Sequence, residues 1–441
     1  MANGYNVVIY ITVKGSVVAE EVSMGEAVMD SGIEMRSTVG GDADAPRDTC
    51  HRIEGELGAR FLERTDVIRG LMVAALSGSH LLMLGMPGTA KSELAEDLCQ
   101  RIRGRYFSAL LFPTSRPEEI LGPHSIKALD KRDAYIRKTA GYLPEADIAF
   151  LDEVFRGNSA VLNGLLWLIN EGVFVQDGQK VKTPLRFMVA AANGLPDLEE
   201  ENLGAFYDRI LLRYEVGNIE ADESFKQMLE GHVSRRSRGL EENYTDNRTM
   251  FAPGEFESAV EGVKAVDLSE VINPLSVLRN RLLESAGIEA SPRRWAKALG
   301  AIQAHAYLEG REVAERGDLK IMADILWDEP GQRKEVESVV LGIASPNLRK
   351  VREYREQAEE IRANTFSAEE DDRSDAGRQA STSLIKMITR MERMAKEMRE
   401  ESPRSELPQE MHDIYQRVRQ INTEVCRDIL RTGEAEGGGV L

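Results

Sequence analysis

Gly85-Met-Pro-Gly-Thr-Ala-Lys-Ser92 is the stretch on which the fold turns. It follows His80-Leu-Leu-Met-Leu84, a short apolar run ending in glycine, which reads as a buried parallel strand. It opens a helix from Ser92 to Ile102 whose Leu94, Ala95 and Leu98 share one face. Strand, small-residue loop, Lys-Ser and helix together make the context of a phosphate-binding loop. Small residues let backbone N–H groups wrap the β- and γ-phosphates, and the helix N-terminus adds favourable dipole charge. On this reading Gly85, Met86, Pro87, Gly88, Thr89, Ala90, Lys91 and Ser92 bind the phosphates of a nucleotide. Lys91 reaches the terminal phosphates and the Ser92 hydroxyl ligates Mg²⁺. Ala90 stands where such loops usually carry glycine.

Further along, Asp147-Ile-Ala-Phe-Leu151 reads as a second buried strand ending in two carboxylates, Asp152 and Glu153. That position puts Asp152 at the sheet's C-terminal edge, where it can hold Mg²⁺ through water. Glu153 is then placed to activate the attacking water. Arg186-Phe-Met-Val-Ala-Ala-Ala192 is a third buried strand, followed by Asn193, whose amide could hold that water or simply cap the strand. Ala160 to Ile169 is helical. Strands alternating with helices predict an α/β fold, a parallel sheet flanked by helices.

Around this core the pattern varies. Residues 1–50 show no sustained period, apart from a strand-like Asn6–Val13, and Met24 or Met35 could equally serve as the start. Apolar residues from Leu57 to Ala75 recur at helical spacing. Asp177-Gly178, flanked by alternating residues, predicts a hairpin over 173–182. Residues 231–249 read as a charged surface loop and 268–327 as a small all-α unit. In the tail, Leu384, Met387, Met391, Met394 and Met398, then Met411, Ile414, Val418, Ile421 and Val425, form two stripes at 3-4 spacing. They predict a helical hairpin with a Met-rich seam, preceded by a flexible acidic stretch over 367–379.

The combination GMPGTAKS, IAFLDE and VAAAN resembles the AAA+ P-loop NTPases. Pro117–Pro123, Gly141–Asp147, Leu165–Glu171 and Ala205–Arg213 resemble the MoxR group and, within it, the RavA-type regulatory ATPases. The tail departs from that branch, since it lacks an inserted β-domain. The resemblance implies an ATP-hydrolysing remodeller or chaperone: a homo-oligomeric, hexameric ring acting on a partner with a von Willebrand factor A domain and on an unknown client. It implies that Arg209, in the Asp208-Arg209 pair, is an arginine finger reaching a neighbour's γ-phosphate, with Arg213 as the alternative. Arg293 would contact the γ-phosphate in cis from the lid, with Arg294 adjacent to it. Residues 110–146 and the 173–182 hairpin match two inserted elements that couple nucleotide to partner. The expected domains are an N-terminal extension (1–50), an AAA+ core (51–218), a small α-helical lid (219–345) and a C-terminal helical bundle or hairpin (346–441).

Composition narrows the alternatives. With 56 Lys plus Arg against 74 Asp plus Glu, the net charge is −18, which repels polyphosphate backbones and argues against nucleic acid as a partner. A loop with Arg235, Arg236 and Arg238 is the sole support for a nucleic-acid-linked ATPase. An ATP-switched assembly protein with little turnover is a further alternative. No stretch approaches the roughly 20 apolar residues of a membrane span. Cys50, Cys99 and Cys426 form no CxxC pair and suit a reducing, cytoplasmic compartment.

Overall fold

The computed structural model describes residues 6–13, 16–23, 45–195, 201–237, 248–369, 372–401 and 409–429. They fall into two units, Met1–Ala43 and Asp44–Leu441. In the first, strands β1 (Asn6–Val13) and β2 (Ser16–Ser23) pair antiparallel, with Asn6 opposite Ser23 and Val13 opposite Ser16. Met24, Met35 and most of the 40–46 stretch lie outside the described residues.

The second unit begins with α1 (Ala45–Arg60) and α2 (Thr65–Ser77). There follow β3 (Leu81–Leu84), α3 (Lys91–Ile102), β4 (Tyr106–Leu110), α4 (Pro117–Leu121), α5 (Ile126–Arg132) and β5 (Ile148–Asp152). Then come α6 (Ser159–Glu171), the hairpin β6 (Val173–Gln176) and β7 (Gln179–Lys182), β8 (Phe187–Ala192), α7 (Glu201–Tyr207) and β9 (Leu212–Glu215). Strands β4-β5-β8-β3-β9 form one sheet, parallel throughout. Its central strands are buried on both faces: every residue of β3 and β8, and Ile148–Leu151 of β5. Such burial on two sides requires unbroken apolar runs rather than alternation, as the sequence has. In the hairpin, Asp177 and Gly178 both take positive φ (50° and 73°), the geometry that an Asp-Gly pair favours in a two-residue turn.

Four lid helices follow α8 (Asp222–Ser237): α9 (Glu255–Ala265), α10 (Ile272–Ala286), α11 (Pro292–Leu308) and α12 (Arg333–Ala344). The charged loop expected over 231–249 is in part helix, because α8 runs on to Ser237; residues 238–247 lie outside the described ones. The tail is a three-helix bundle of α13 (Pro346–Ser367), α14 (Arg373–Glu401) and α15 (Gln409–Asp428), in which α14 and α15 carry the two expected stripes. Met391 and Met411 are fully buried beside Leu384, Val418 and Val351, so the methionine stripes are bundle core. The flexible stretch expected over 367–379 is largely the start of α14. Among the described residues no helix is long and apolar enough to cross a membrane, and the three cysteines form no disulfide.

The lid grips β9 residue by residue. Arg213 pairs with Asp328 at 2.9 Å, Tyr214 hydrogen-bonds Asp324, and Glu215 faces Arg333 at 3.6 Å. Burial, reinforced by the charge of Asp66, pushes the Asp324 carboxyl up from 3.8 to about 7, against the pull of Arg333 and the Tyr214 hydroxyl. The folded chain therefore keeps a proton that the unfolded chain releases. Stability contributed by this group is present below about pH 4 and is lost as pH rises towards 7. Asp324→Asn should flatten that part of the denaturant-midpoint profile between pH 4 and 8. A wild-type profile parallel to the variant's would exclude the assignment.

Candidate functional site

The register of three neighbouring strands assembles one edge of the site. Leu84 stands opposite Ala192 on β8, and Gly85 N–H donates to Ala192 O at 3.0 Å. β5 lies on the other side of β8, with Leu151 opposite Ala190. The phosphate loop, Asn193 and the Asp152-Glu153 pair therefore share the C-terminal edge of adjacent strands, within about 10 Å at ~4.8 Å per strand. Gly85 is needed there for close approach, since a Cβ would meet Val216 O at 2.1 Å. Gly88 takes φ 82°, and a Cβ on it would meet nothing within 4 Å.

Lys91 Nζ folds back onto the loop, donating to Gly85 O (2.6 Å) and Met86 O (2.8 Å). Burial lowers its pKa, partly offset by the charges of Asp152 and Glu153. That offset places the ammonium within electrostatic reach of both carboxylates. Met86 to Gly88 and Ser92 are exposed, and the Thr89 hydroxyl is turned inward onto Met86 O at 2.9 Å. A cationic amine, a hydroxyl at the helix N-terminus and a carboxylate across the edge make a donor set that fits a nucleotide triphosphate with its divalent cation.

Asp152 Oδ1 accepts the Glu153 N–H at 2.9 Å, closing the strand end. Glu153 sits in the left-handed region (φ 49°, ψ 42°), a strained setting for a non-glycine residue of the kind that gathers at functional sites. Its carboxylate accepts from Asn193 Nδ2 and faces Arg156 Nε at 3.4 Å. Asn193 thus touches Glu153 directly. Arg156 was not singled out from sequence; nothing but its spacing of three from Glu153 hints at it.

The predicted arginines lie on the opposite edge. β9 runs parallel to β3, with Leu212 opposite Leu81, so the turn carrying Asp208-Arg209 precedes both strands. Leu211 and Leu212 N–H groups donate to His80 O, at the start of β3. At ~3.3 Å per residue, the four residues of β3 put this edge about 13 Å from the phosphate loop. Arg209 donates to Ala205 O, its Nε is buried without a hydrogen-bond partner, and its pKa is lowered by burial and then by Arg293. Lys297 feels both arginines and in turn acts on His80, whose pKa burial pushes down to about 4. His80 Nδ1 accepts from Met188 N–H (3.2 Å), which leaves Nε2 to donate to Ile169 O (3.0 Å).

This placement corrects the expected cis contact of Arg293. Arg293 is exposed and stands with Arg209 and Lys297, on the edge away from its own phosphate loop, because α11 begins against the Asp208 turn. The two alternatives, Arg213 and Arg294, are both buried in ion pairs. Arg213 is wholly buried, stacks on the Tyr207 ring at 4.0 Å and donates to Trp327 O and Asp328. Arg294 is 4% exposed and joins Asp208 to Asp328, at 2.9 Å from each. Asp328 and Tyr207, whose hydroxyl donates to Asp328 O at 2.6 Å, carry no motif from which sequence reasoning could have found them.

A five-stranded parallel sheet with a phosphate loop, an acidic strand end and a helical lid defines an AAA+ ATPase. Residues 49–250 match the model described as the MoxR domain in the MoxR-vWA-beta-propeller ternary systems, and residues 270–340 match an AAA lid domain. An uncharacterized protein of Methanocaldococcus jannaschii is 37% identical over 67% of this chain and 75% of its own length, and a second from that organism is 38% identical over 67% and 74%. Chaperone MoxR1 of Mycobacterium tuberculosis is 26% identical over 40% of this chain and 46% of its own. The crystal structure of a proposed ATPase from Cytophaga hutchinsonii shares the fold, with a TM-score of 0.54, 17% identity, and coverage of 68% of this chain and 95% of that one. The chain belongs to the MoxR-family AAA+ ATPases.

Ala90 adopts φ 62°, ψ 22°, the left-handed conformation for which a glycine is normally used. An L-residue loses roughly 1–2 kcal/mol there, partly offset by the extra freedom a glycine brings to the unfolded chain. Ala90→Gly should therefore stabilise the protein by about 0.5–1 kcal/mol in denaturant titration. A destabilised variant would show that Ala90 is unstrained.

Proposed function

We propose that the chain is an ATP-hydrolysing remodeller whose site is completed by a neighbouring copy in a hexameric ring. The observation that carries this reading is the separation of its cations. Lys91 belongs to the phosphate-loop edge, whereas Arg209 and Arg293 stand together on the other edge, where they face no phosphate of their own chain. Like charges gathered beside one another are stabilised when an anion arrives, and a neighbour's nucleotide would supply it.

In this reading Lys91 would leave the loop carbonyls to neutralise the terminal phosphates, and Ser92 and Asp152 would hold Mg²⁺. The cation's chemistry is charge neutralisation at the phosphate oxygens. Glu153, oriented by Asn193, takes the proton of the attacking water. Arg209 and Arg293 of the next copy stabilise charge spreading over the γ-phosphoryl oxygens.

The partner is proposed to be a protein with a von Willebrand factor A domain, supported by the description of the matching MoxR model. Its docking face is proposed to include α5 and the β6–β7 hairpin, tied together where Tyr135 N–H donates to Asp177 Oδ1 at 3.1 Å. Ile126, Leu129, Tyr135 and Val175 are exposed there. Placement nearest the RavA-type branch belongs to the same proposal and rests on the sequence phrases alone. A second reading, an assembly protein with little turnover, draws support from a structural protein of Acidianus two-tailed virus, 35% identical over 38% of this chain and 29% of its own. Measurable steady-state turnover would separate the two.

Lys91→Ala should abolish binding of a fluorescent ATP analogue; unchanged affinity would rule out the phosphate loop. Glu153→Gln and Arg209→Ala rings should each be nearly inactive. Rings mixing the two, with subunit exchange verified by native mass, should recover hydrolysis relative to rings mixed with the double variant. No recovery would exclude action across the boundary.

A further inference from the structure

The turn that carries Arg209 is fastened to the lid by the residue before it. The Asp208 carboxylate accepts from Arg294 Nη2 at 2.9 Å and from the Ser291 hydroxyl at 3.3 and 3.4 Å. Both partners belong to the first turn of α11: Ser291 is its N-cap, accepting Arg294 N–H at 3.2 Å, and Arg293 lies between them. Arg294 continues to Asp328 at 2.9 Å, and Asp328 to Arg213 at 2.9 Å, on the strand that leaves the same turn. Two arginines and two aspartates thus form a charge-balanced chain that starts at the residue before Arg209. Arg294 and Arg213 are buried, so their counter-ions cannot be exchanged for water without large loss.

From this geometry we infer that Asp208 is a positioning residue for Arg209, holding the finger in register with the start of α11. The inference rests on the reading of Arg209 as a residue acting on a neighbour's nucleotide. Asp208 itself points into the lid and touches no reacting group. Its carboxylate makes the finger turn and the Arg293 helix end a single body, so both arginines reach a neighbour together. The chain's own lid thereby sets the finger's position. A lid that shifts on the core carries the Asp208 turn with it, because the buried pair moves whole rather than stretching. No motif describes this role. It follows from Ser291, Arg294 and Asp328 converging on the turn.

The test uses the full chain, with steady-state ATPase kinetics and binding of a fluorescent ADP analogue. Asp208→Asn should lower kcat about 10–100-fold, the scale of a misplaced catalytic group, with KM and analogue affinity within about twofold. Arg209→Ala should fall at least as far, and the double variant little further than Arg209→Ala, because Asp208 acts through the arginines it positions, Arg209 foremost. A loss in the double variant well beyond that of Arg209→Ala would overturn the inference. So would wild-type kcat for Asp208→Asn beside an inactive Arg209→Ala, which leaves the finger reading intact. Wild-type kcat for Arg209→Ala would remove the finger reading and the inference with it. If Asp208→Asn folds poorly, Asp208→Asn/Arg294→Met removes both partners and leaves Arg213 paired with Asp328. The melting temperature should recover while kcat stays low. Recovery of kcat together with the melting temperature would make the pair merely structural and overturn the inference.

Discussion

The site depends on the hydrogen-bonded register between β3 and β8. With Leu84 fixed opposite Ala192, a loop leaving β3 and a residue leaving β8 must emerge side by side, and β5 brings Asp152 and Glu153 beside them. The strands hold that register because they are buried on both faces, and slipping by one step would break the packing of every residue along them. Polar chemistry is confined to strand ends, where backbone groups are released from the ladder. Gly85 shows how tight this is: the loop passes so close to Val216 that a single extra carbon does not fit.

The same strands have another end, organised by charge rather than apolar packing. Arg213 begins in the sheet yet is tied to Asp328, and Arg294 bridges Asp328 to Asp208. Removing one member of such a buried network costs roughly 3–5 kcal/mol, because the remaining charge is left uncompensated. Burial raises the Asp328 carboxyl's pKa, but the two arginines outweigh it and hold the group below the usual carboxylate range. The network therefore keeps its charges and, with them, a fixed lid orientation.

How much of this was legible in the sequence follows from the range of the forces involved. The phosphate loop, the acidic strand end and the Asp-Gly hairpin are local: each is specified by adjacent residues with defined backbone demands. Unbroken apolar runs such as Phe187–Ala192 likewise announce two-sided burial. The side on which Arg293 would lie was not legible, because it depends on where α11 docks, and that is decided by Asp208 and Asp328, 83 residues before Ser291 in one case and across the lid in the other. The tail was half legible. Methionine spacing identified apolar faces, but composition made 367–379 look like a linker, whereas the start of α14 continues there into bundle packing through Ala380 and Leu384.

The two edges are ends of the same short strands, and this shapes what the fold can transmit. β3 and β9 run parallel over four paired residues, with Leu84 leading into the phosphate loop and Leu212 arriving from the Arg209 turn. A buried, close-packed pair of that length has little freedom to deform internally, so displacement at one end is passed on rather than absorbed. Non-glycine residues hold left-handed backbone at Ala90 and Glu153, on the phosphate-loop edge. Among the described residues the Asp208 turn holds no such left-handed residue and is fastened by ion pairs instead. Strain is thus stored at the edge that carries the phosphate loop, and stiffness lies between that edge and the surface bearing Arg209 and Arg293.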